Sequence, residues 1–449
     1  MTEYLFPKRQ YSLKLINLAY PVVLGMISRT IMNLVDAGMV GRLGAVQLAA
    51  TGIGAHVVMI FTFSYGSINI GVQALTARSY GEKNFSLCGK IVDRSLLVTV
   101  SLGILGAAVG YYFSAYLFEL FTDDINVFET GKPYVAVRFL EIAAFAFIGI
   151  YRGFFAGIGI TKINMLSMIL MNLLNICLNY CLIFGNFGFP RLEVEGAGIA
   201  SMISSFAGAG VMIWFSVLPK YRKPYSLYKN LIPDFEILKR LYRLSLPVIF
   251  QTFMVFTGFL IFLKILGLIG TYELAAGNVC IAIMSMSFMP GHGIGVAAAT
   301  LVGQSLGANE TDKAEKFGWE AVKIGVYLMG AFGIAFIFIP GYIMKIFTPD
   351  ELIIGEGIIA LRIIGFVQFF DAFGMILGNT LQSAGMTKFV MITEVSINWL
   401  IFLPLSYILG ITLGWGTTGA WVSLAIYIFL FGMIMSITFI RGKWKTVKI

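Results

Sequence analysis

The chain has 449 residues, 58% of them hydrophobic and only 12% charged, with a mean hydropathy of +0.86. Soluble domains carry roughly 25% charged residues, so this composition excludes a protein that meets water over its whole surface. The net charge of +9 is spread over loops in a way that reports membrane topology, not nucleic-acid binding.

Apolar stretches long enough to cross a hydrocarbon core of roughly 30 Å as helices recur along the chain. Twelve spans are predicted, at 15–38, 49–77, 92–115, 133–157, 163–185, 196–218, 244–268, 274–303, 319–343, 356–381, 389–410 and 417–440. The first is too long for a leader's apolar region and has no small-residue cleavage site, so it reads as an anchor that stays in the protein. The fold class expected is all-α integral membrane. The 50 glycines suit close helix packing in lipid, as at Gly149, Gly153 and Gly157.

Residues from about Leu15 to Asn172 recur 226 positions later. Pro21 falls on Pro247, and Gly41, Gly44, Leu48, Ala49 and Ala50 fall on Gly267, Gly270, Leu274, Ala275 and Ala276. Ser79 and Gly81 fall on Ser305 and Gly307; Gly159, Thr161 and Lys162 on Gly385, Thr387 and Lys388; Asn172 on Asn398. Each copy holds six spans. An even number returns the chain to its starting side, so the copies enter alike and relate by a pseudo-two-fold axis along the membrane normal. The expected division is an N-lobe at 1–218, a cytoplasmic linker at 219–243 and a C-lobe at 244–449. The linker carries Pro219, Pro224 and Pro233, with a short amphipathic helix expected near Asp234–Tyr242.

Alternate loops hold most of the Lys and Arg, from Lys8, Arg9 and Lys14 to Arg441, Lys443, Lys445 and Lys448, while the opposite loops hold acids such as Glu119, Asp123, Asp124 and Glu351. The positive-inside rule places both termini in the cytoplasm of a multi-pass protein of the cytoplasmic membrane. A membrane protein built from two copies of one unit suits a transporter, whose site forms between the halves.

Ionisable groups inside spans are candidates for function. Asp36, toward the outer end of span 1, is the foremost. Asn33 lies one turn before it on the same face, and Arg29 two turns before it. Asp36 binds a cation or proton, with Asn33 beside it, or forms a structural pair with Arg29, or is an interfacial acid. Asp371 in span 10 has no basic residue three or four positions away. The 226-residue offset pairs it with Phe145 and pairs Asp36 with Phe262, so each half carries one prominent acid on a non-equivalent helix. Span 5 adds Asn172, Asn175 and Asn179; the last two share a face and offer amide oxygens to a cation or hydrogen bonds to other helices. Gln251, Gln368 and Ser201 are candidate cavity residues. Arg138 with Glu141, and Glu320 with Lys323, are spaced to pair. Arg152, Lys264 and Glu394 have no local partner in sequence.

Cys177 and Cys181, one turn apart, are read as small buried residues, since no His or Cys cluster accompanies them. His56 and His292 are isolated. No nucleophile–base pair or metal cluster suggests an enzyme, and no metal beyond a possible sodium ion is expected. The 39 Phe and 21 Met would suit a cavity for bulky apolar compounds or organic cations, although most must face lipid or pack.

Several segments together resemble the multidrug and toxic compound extrusion (MATE) family, in its NorM and DinF branches. They are Asn33-Leu34-Val35-Asp36 followed by Val40-Gly41-Arg42-Leu43-Gly44; Leu48-Ala49-Ala50 and Leu274-Ala275-Ala276; Ala77-Arg78-Ser79-Tyr80-Gly81 and Gly303-Gln304-Ser305-Leu306-Gly307; and Gly196-Ala197-Gly198-Ile199-Ala200-Ser201. The resemblance covers nearly the whole chain. It implies a twelve-helix, two-lobed exporter of small-molecule drugs or organic cations. That exporter is driven by inward flow of protons or sodium. No other cofactor is expected, and a two-lobed transporter can work as a monomer in the bilayer. By position Asp36 looks like the family's N-lobe coupling acid, Asn175 like its span-5 partner and Asp371 like the span-10 acid of the NorM branch. Two departures stand out. Many members carry Asp where this chain has Asn179, and NorM-branch members often carry Glu in span 7, where Leu244–Leu268 holds no acid. Both remove anionic oxygens that sodium favours, which tilts the expectation toward protons. A lipid-linked oligosaccharide flippase is the alternative, though such proteins typically have extra spans and a more cationic cavity.

Overall fold

The computed structural model describes residues 7–229, 234–447 and 449. Pro233 of the linker and Lys448 lie outside the described residues. Among those described, twelve helices are long and apolar enough to cross a membrane. They are α1 (Arg9–Gly41), α2 (Ala45–Gly81), α3 (Phe85–Glu119), α4 (Ile125–Gly157), α5 (Thr161–Phe184), α6 (Glu193–Val217), α7 (Phe235–Ile269), α8 (Thr271–Gly307), α9 (Thr311–Phe338), α10 (Glu351–Ser383), α11 (Thr387–Thr412) and α12 (Gly416–Ile440). No strand occurs among the described residues. The twelve match the predicted spans one for one, and most run past them, because polar residues continue a helix into the headgroup region at no backbone cost.

The linker differs from expectation. No separate amphipathic helix stands near Asp234–Tyr242; Phe235 opens α7, which runs unbroken to Ile269. Asp234 starts it by accepting from the backbone N–H groups of Glu236 (3.1 Å) and Ile237 (3.3 Å), as a capping acid does. A short helix stands instead at Pro219–Tyr225, where Pro219 occupies the first turn and its missing N–H is no loss.

The repeat is visible in backbone geometry. Lys83 (φ 59°) and Asn309 (φ 60°) turn the chain after α2 and α8, and Gly159 (φ 82°) and Gly385 (φ 100°) after α4 and α10. Each pair is separated by the same 226 residues as the sequence repeat. Left-handed backbone favours glycine or asparagine, so one turn plan is written twice. Asp124 and Asp350, also 226 apart, both cap by accepting from the backbone N–H two residues on, at 2.8 and 2.9 Å.

Three helices are interrupted. In α2 the break falls at Ser67, whose Oγ donates to the Ser64 carbonyl at 2.6 Å. In α4 it falls at Leu140. In α11 two wider π-type turns, Ile397–Phe402 and Ile408–Thr412, flank the segment that carries Pro404. Proline removes one backbone donor, and such turns often mark functional positions.

By packing, the chain forms two compact units, Leu24–Phe253 and Met1–Val23 with Met254–Ile449. The division runs through the middle of α1 and of α7, not through the linker. In the first unit Val57, Val58, Phe118, Val135, Phe139 and Ile183 form the core. In the second, Leu15 and Ala19 of α1 join Ile294, Ala297, Phe317 and Phe439. The backbone N–H of Lys8 donates to Glu320 Oε2 at 2.6 Å, and Tyr11 meets Phe317 edge-on at 5.0 Å. A second cluster there centres on Phe262, Leu266, Phe402 and Trp421.

Candidate functional site

In the Leu24–Phe253 unit, Asp36 projects from α1 toward a stripe of amides on α5. Asn179 Nδ2 donates to Asp36 Oδ1 at 2.5 Å. Asn175, one turn earlier on the same face, fits best with its amide nitrogen 2.9 Å from Asp36 Oδ1 and 3.2 Å from Oδ2. Its oxygen then accepts from the Ser201 hydroxyl at 3.2 Å and the Ser201 backbone N–H at 3.3 Å. The two ends of an amide are assigned from such partners; this orientation pairs donors with the carboxylate and acceptors with the serine. Asn175 and Asn179 are 1% and 0% exposed, and Asn179 Oδ1 is buried with no hydrogen-bond partner. Three helices, α1, α5 and α6, thus meet at one acid. Further along α5, Asn172 Nδ2 donates to Ser28 Oγ of α1 at 2.8 Å, which fixes the register of the two helices.

A second polar group backs this cluster. Arg138 of α4 donates to both oxygens of Glu141 (2.7 and 3.2 Å) and to Tyr134 Oη (2.7 Å). The pair anticipated from spacing therefore forms. Tyr134 is buried, and Gly198 of α6 leaves room for its ring. Arg138 and Glu141 lie within electrostatic reach of Asp36. Arg29 does not pair with Asp36. Its guanidinium lies over the rings of Phe63 (4.7 Å) and Phe145 (5.5 Å), so the structural ion pair weighed from sequence is absent. Asn33 is exposed; the structure does not bring it into the Asp36 cluster.

The other unit holds a separate acidic group. Asp371 of α10 and Glu394 of α11 act on each other electrostatically. Tyr427 of α12 donates to Glu394 Oε1 at 3.1 Å. Asn398, fully buried on the first π-type turn of α11, stands beside Tyr427, and a side chain at Gly258 would collide with its amide. Gln368, 1% exposed, accepts from Ser287 Oγ at 2.9 Å. Sequence spacing could point to Asp371, and the repeat to Asn398 through Asn172. Nothing in the sequence singled out Tyr427, whose role comes from a contact across helices, or Tyr134, whose partner Arg138 stands one turn on in α4.

The remaining expectations are placed as follows. Ser201 joins the Asp36 cluster. Gln251 is 8% exposed within α7. These two belong to one unit and Gln368 to the other. Lys323 pairs with Glu320 at 2.9 Å. Lys264 is exposed, and Glu394 does have a partner in Tyr427. Cys181 is part-buried but Cys177 is exposed; the expectation of two buried cysteines fails for Cys177 because its face of α5 points outward. His292 stacks on Phe288 at 6.4 Å. Among the described residues no three of His, Cys, Asp and Glu gather as metal ligands.

A twelve-helix membrane protein written as two copies of a six-helix unit, with a half-buried acid cluster in each packing unit, defines a transporter-type architecture. The family profile MatE matches residues 21–181 and 247–408, two stretches that begin 226 residues apart, as the repeat does. The chain belongs to the MatE family. It is 27% identical over 434 residues to a probable multidrug resistance protein NorM of Thermotoga maritima, covering 96% of this chain and 93% of that one. It is 24% identical over 438 residues to the multidrug resistance protein MdtK of Yersinia enterocolitica, covering 96% and 94%. In fold it matches a MATE crystallised in complex with MaL6, with TM-score 0.88, 21% identity and coverage of 98% and 97%. It also matches an outward-facing multidrug resistance MATE transporter of the MOP superfamily, with TM-score 0.87, 21% identity and coverage of 95% on both sides.

Proposed function

We propose that the protein exports lipophilic organic compounds, drugs and organic cations among them, across the cytoplasmic membrane by antiport against an inward flow of cations, protons first. The Asp36 cluster carries this reading. A carboxylate inside a membrane unit, held by two amides that can turn end for end, is suited to taking up and giving up one proton. Deprotonated, it accepts from Asn175 and Asn179. Protonated, it becomes a donor and needs an acceptor, and the unpartnered Asn179 Oδ1 is the nearest candidate. Turning these amides shifts α5 and α6 against α1, the kind of two-state element that alternating access requires. Sodium would need several oxygen ligands, whereas here amide nitrogens face the single acid.

The relatives' names support multidrug compounds as cargo. The basic residues Lys8, Lys14, Arg222 and Lys443, at or near span ends, support cytoplasmic termini. Both repeats lie in one chain, so a monomer suffices as the working unit.

The test is efflux of a lipophilic cationic dye from proteoliposomes under a pH gradient alone and a sodium gradient alone. The expected result is transport under the pH gradient that Asp36→Asn abolishes while the variant still elutes as a folded protein. Full-rate uphill export by Asp36→Asn would overturn the assignment. Transport under sodium alone would move coupling to the Asp371–Glu394 group.

A further inference from the structure

The chain leaving α6 stays on its own unit as a docked strap. Pro219–Tyr225 is helical, and its tyrosines pack against α3 and α4. Tyr221, 7% exposed, meets Phe155 edge-on at 5.6 Å, and Tyr225 meets Phe154 (5.4 Å) and Phe85 (5.9 Å) in the same way. The Tyr225 carbonyl lies so close over Gly89 of α3 that no side chain fits there. Ser226 (φ 54°) and Tyr228 (φ 61°) are left-handed without being glycine, a strain that persists only where the surroundings hold it. Leu227 between them is fully buried, and the Tyr228 N–H donates to Asp93 Oδ1 at 2.9 Å. The Tyr228 hydroxyl is hydrogen-bonded to Tyr151 Oη (2.8 Å) and to Ser216 Oγ. All these residues belong to the Leu24–Phe253 unit.

The free side of the strap is cationic. Lys220, Arg222 and Lys223 are exposed, and so is Lys90, the residue after Gly89. None of the four belongs to an ion pair among the described residues. The segment after α12 differs, because its Lys445 pairs with Glu315 at 2.6 Å. The 226-residue repeat places Glu315 on Gly89. Where the second copy has a neutralising acid, the first has the glycine that lets the strap close. Orientation in the membrane asks for basic residues at this span end, but it does not ask that they be mounted on a fixed segment. A fixed backbone removes part of the ordering cost of binding an anion. Trp214, in the last turn of α6, is 65% exposed. Tryptophan collects at the headgroup level, and the strap begins five residues later, so its cations stand where lipid phosphates lie.

We propose that the strap at 219–228, with Lys90 beside it, is a binding surface for the phosphates of anionic phospholipids, which hold the start of the linker at the membrane surface. That these are lipids of the cytoplasmic leaflet rests on the orientation proposed above. The test uses a bilayer of one composition on both faces and no gradient, so neither orientation nor ion coupling affects its outcome.

Trp214 serves as the reporter. Full-length protein is reconstituted in phosphatidylcholine bilayers, and phosphatidylglycerol or phosphatidylcholine brominated on its acyl chains is titrated in. Quenching of Trp214 is read as the difference between each protein and its Trp214→Phe counterpart. The expected result is that phosphatidylglycerol quenches at least about fivefold more readily, the gain of one basic residue at an anionic surface. Lys220→Gln, Arg222→Gln and Lys223→Gln made together should bring the ratio of the two lipids toward one. Lys8→Gln, Lys14→Gln and Lys388→Gln made together remove the same charge from exposed positions elsewhere and should leave the ratio unchanged. Equal quenching by both lipids in the wild type overturns the proposal. So does an unchanged ratio in the strap variant, or an equal fall in both triple variants, which would report net charge and not a site. The ratio is taken within each variant, so a smaller folded fraction does not alter it.

Discussion

Asp36 owes its setting to two side chains on one turn of a neighbouring helix, and losing either one tests that setting. Replacing Asn179 by Leu removes the 2.5 Å donor and leaves the carboxylate with less hydrogen bonding, a deficit of about 1–3 kcal/mol. Dye efflux by Asn179→Leu should fall roughly tenfold or more, while Asn33→Ala should stay near wild type in the same assay, because Asn33 is exposed and stands outside the cluster. A wild-type rate in Asn179→Leu would detach α5 from coupling. At this scale the sequence was informative where chemistry is rare in lipid. Asp36, Asn175, Asn179 and Asp371 stand out among apolar neighbours. Helical spacing misdirects for Asn33, since it reports a shared face and not what that face meets. Tyr427 gains its role from another helix, which no local pattern shows.

Among the elements, α4 illustrates how small residues set helix approach. A Cβ at Gly153 would come 2.5 Å from the Asn69 carbonyl oxygen and 2.9 Å from Val72 Cβ, both in the second segment of α2. Gly153→Val should therefore lower stability by about 1–3 kcal/mol, the usual cost of overpacking, read as a drop in thermal midpoint. Gly210→Ala, where a Cβ meets nothing within 4 Å, should leave the midpoint unchanged or raise it slightly. Equal effects would mean that the α2–α4 crossing is not closely packed. The twelve spans were legible because length and apolarity are forced by the bilayer. The interruptions at Ser67 and Leu140 were not, since neither position carries a proline. The separate linker helix failed for a related reason: an amphipathic pattern cannot tell an isolated helix from the wet first turns of a span.

For the whole molecule, the sequence repeat and the packing units do not share a boundary. The start of α1 belongs with the second repeat's helices, and the start of α7 with the first repeat's. Each repeat made alone therefore lacks part of its unit. Fragments 1–229 and 230–449 should accumulate poorly when expressed singly and copurify when expressed together. Stable accumulation of either fragment by itself would show that the crossing segments contribute little. In the proposed antiport, cargo and a proton at Asp36 exclude one another, which linkage makes reciprocal. The most direct measurement is proton release when a transported dye is added to the purified protein in weakly buffered solution. Wild type should release protons on binding, and Asp36→Asn should bind the dye without release; dye binding to wild type with no release, or equal release from Asp36→Asn, would contradict coupling at Asp36.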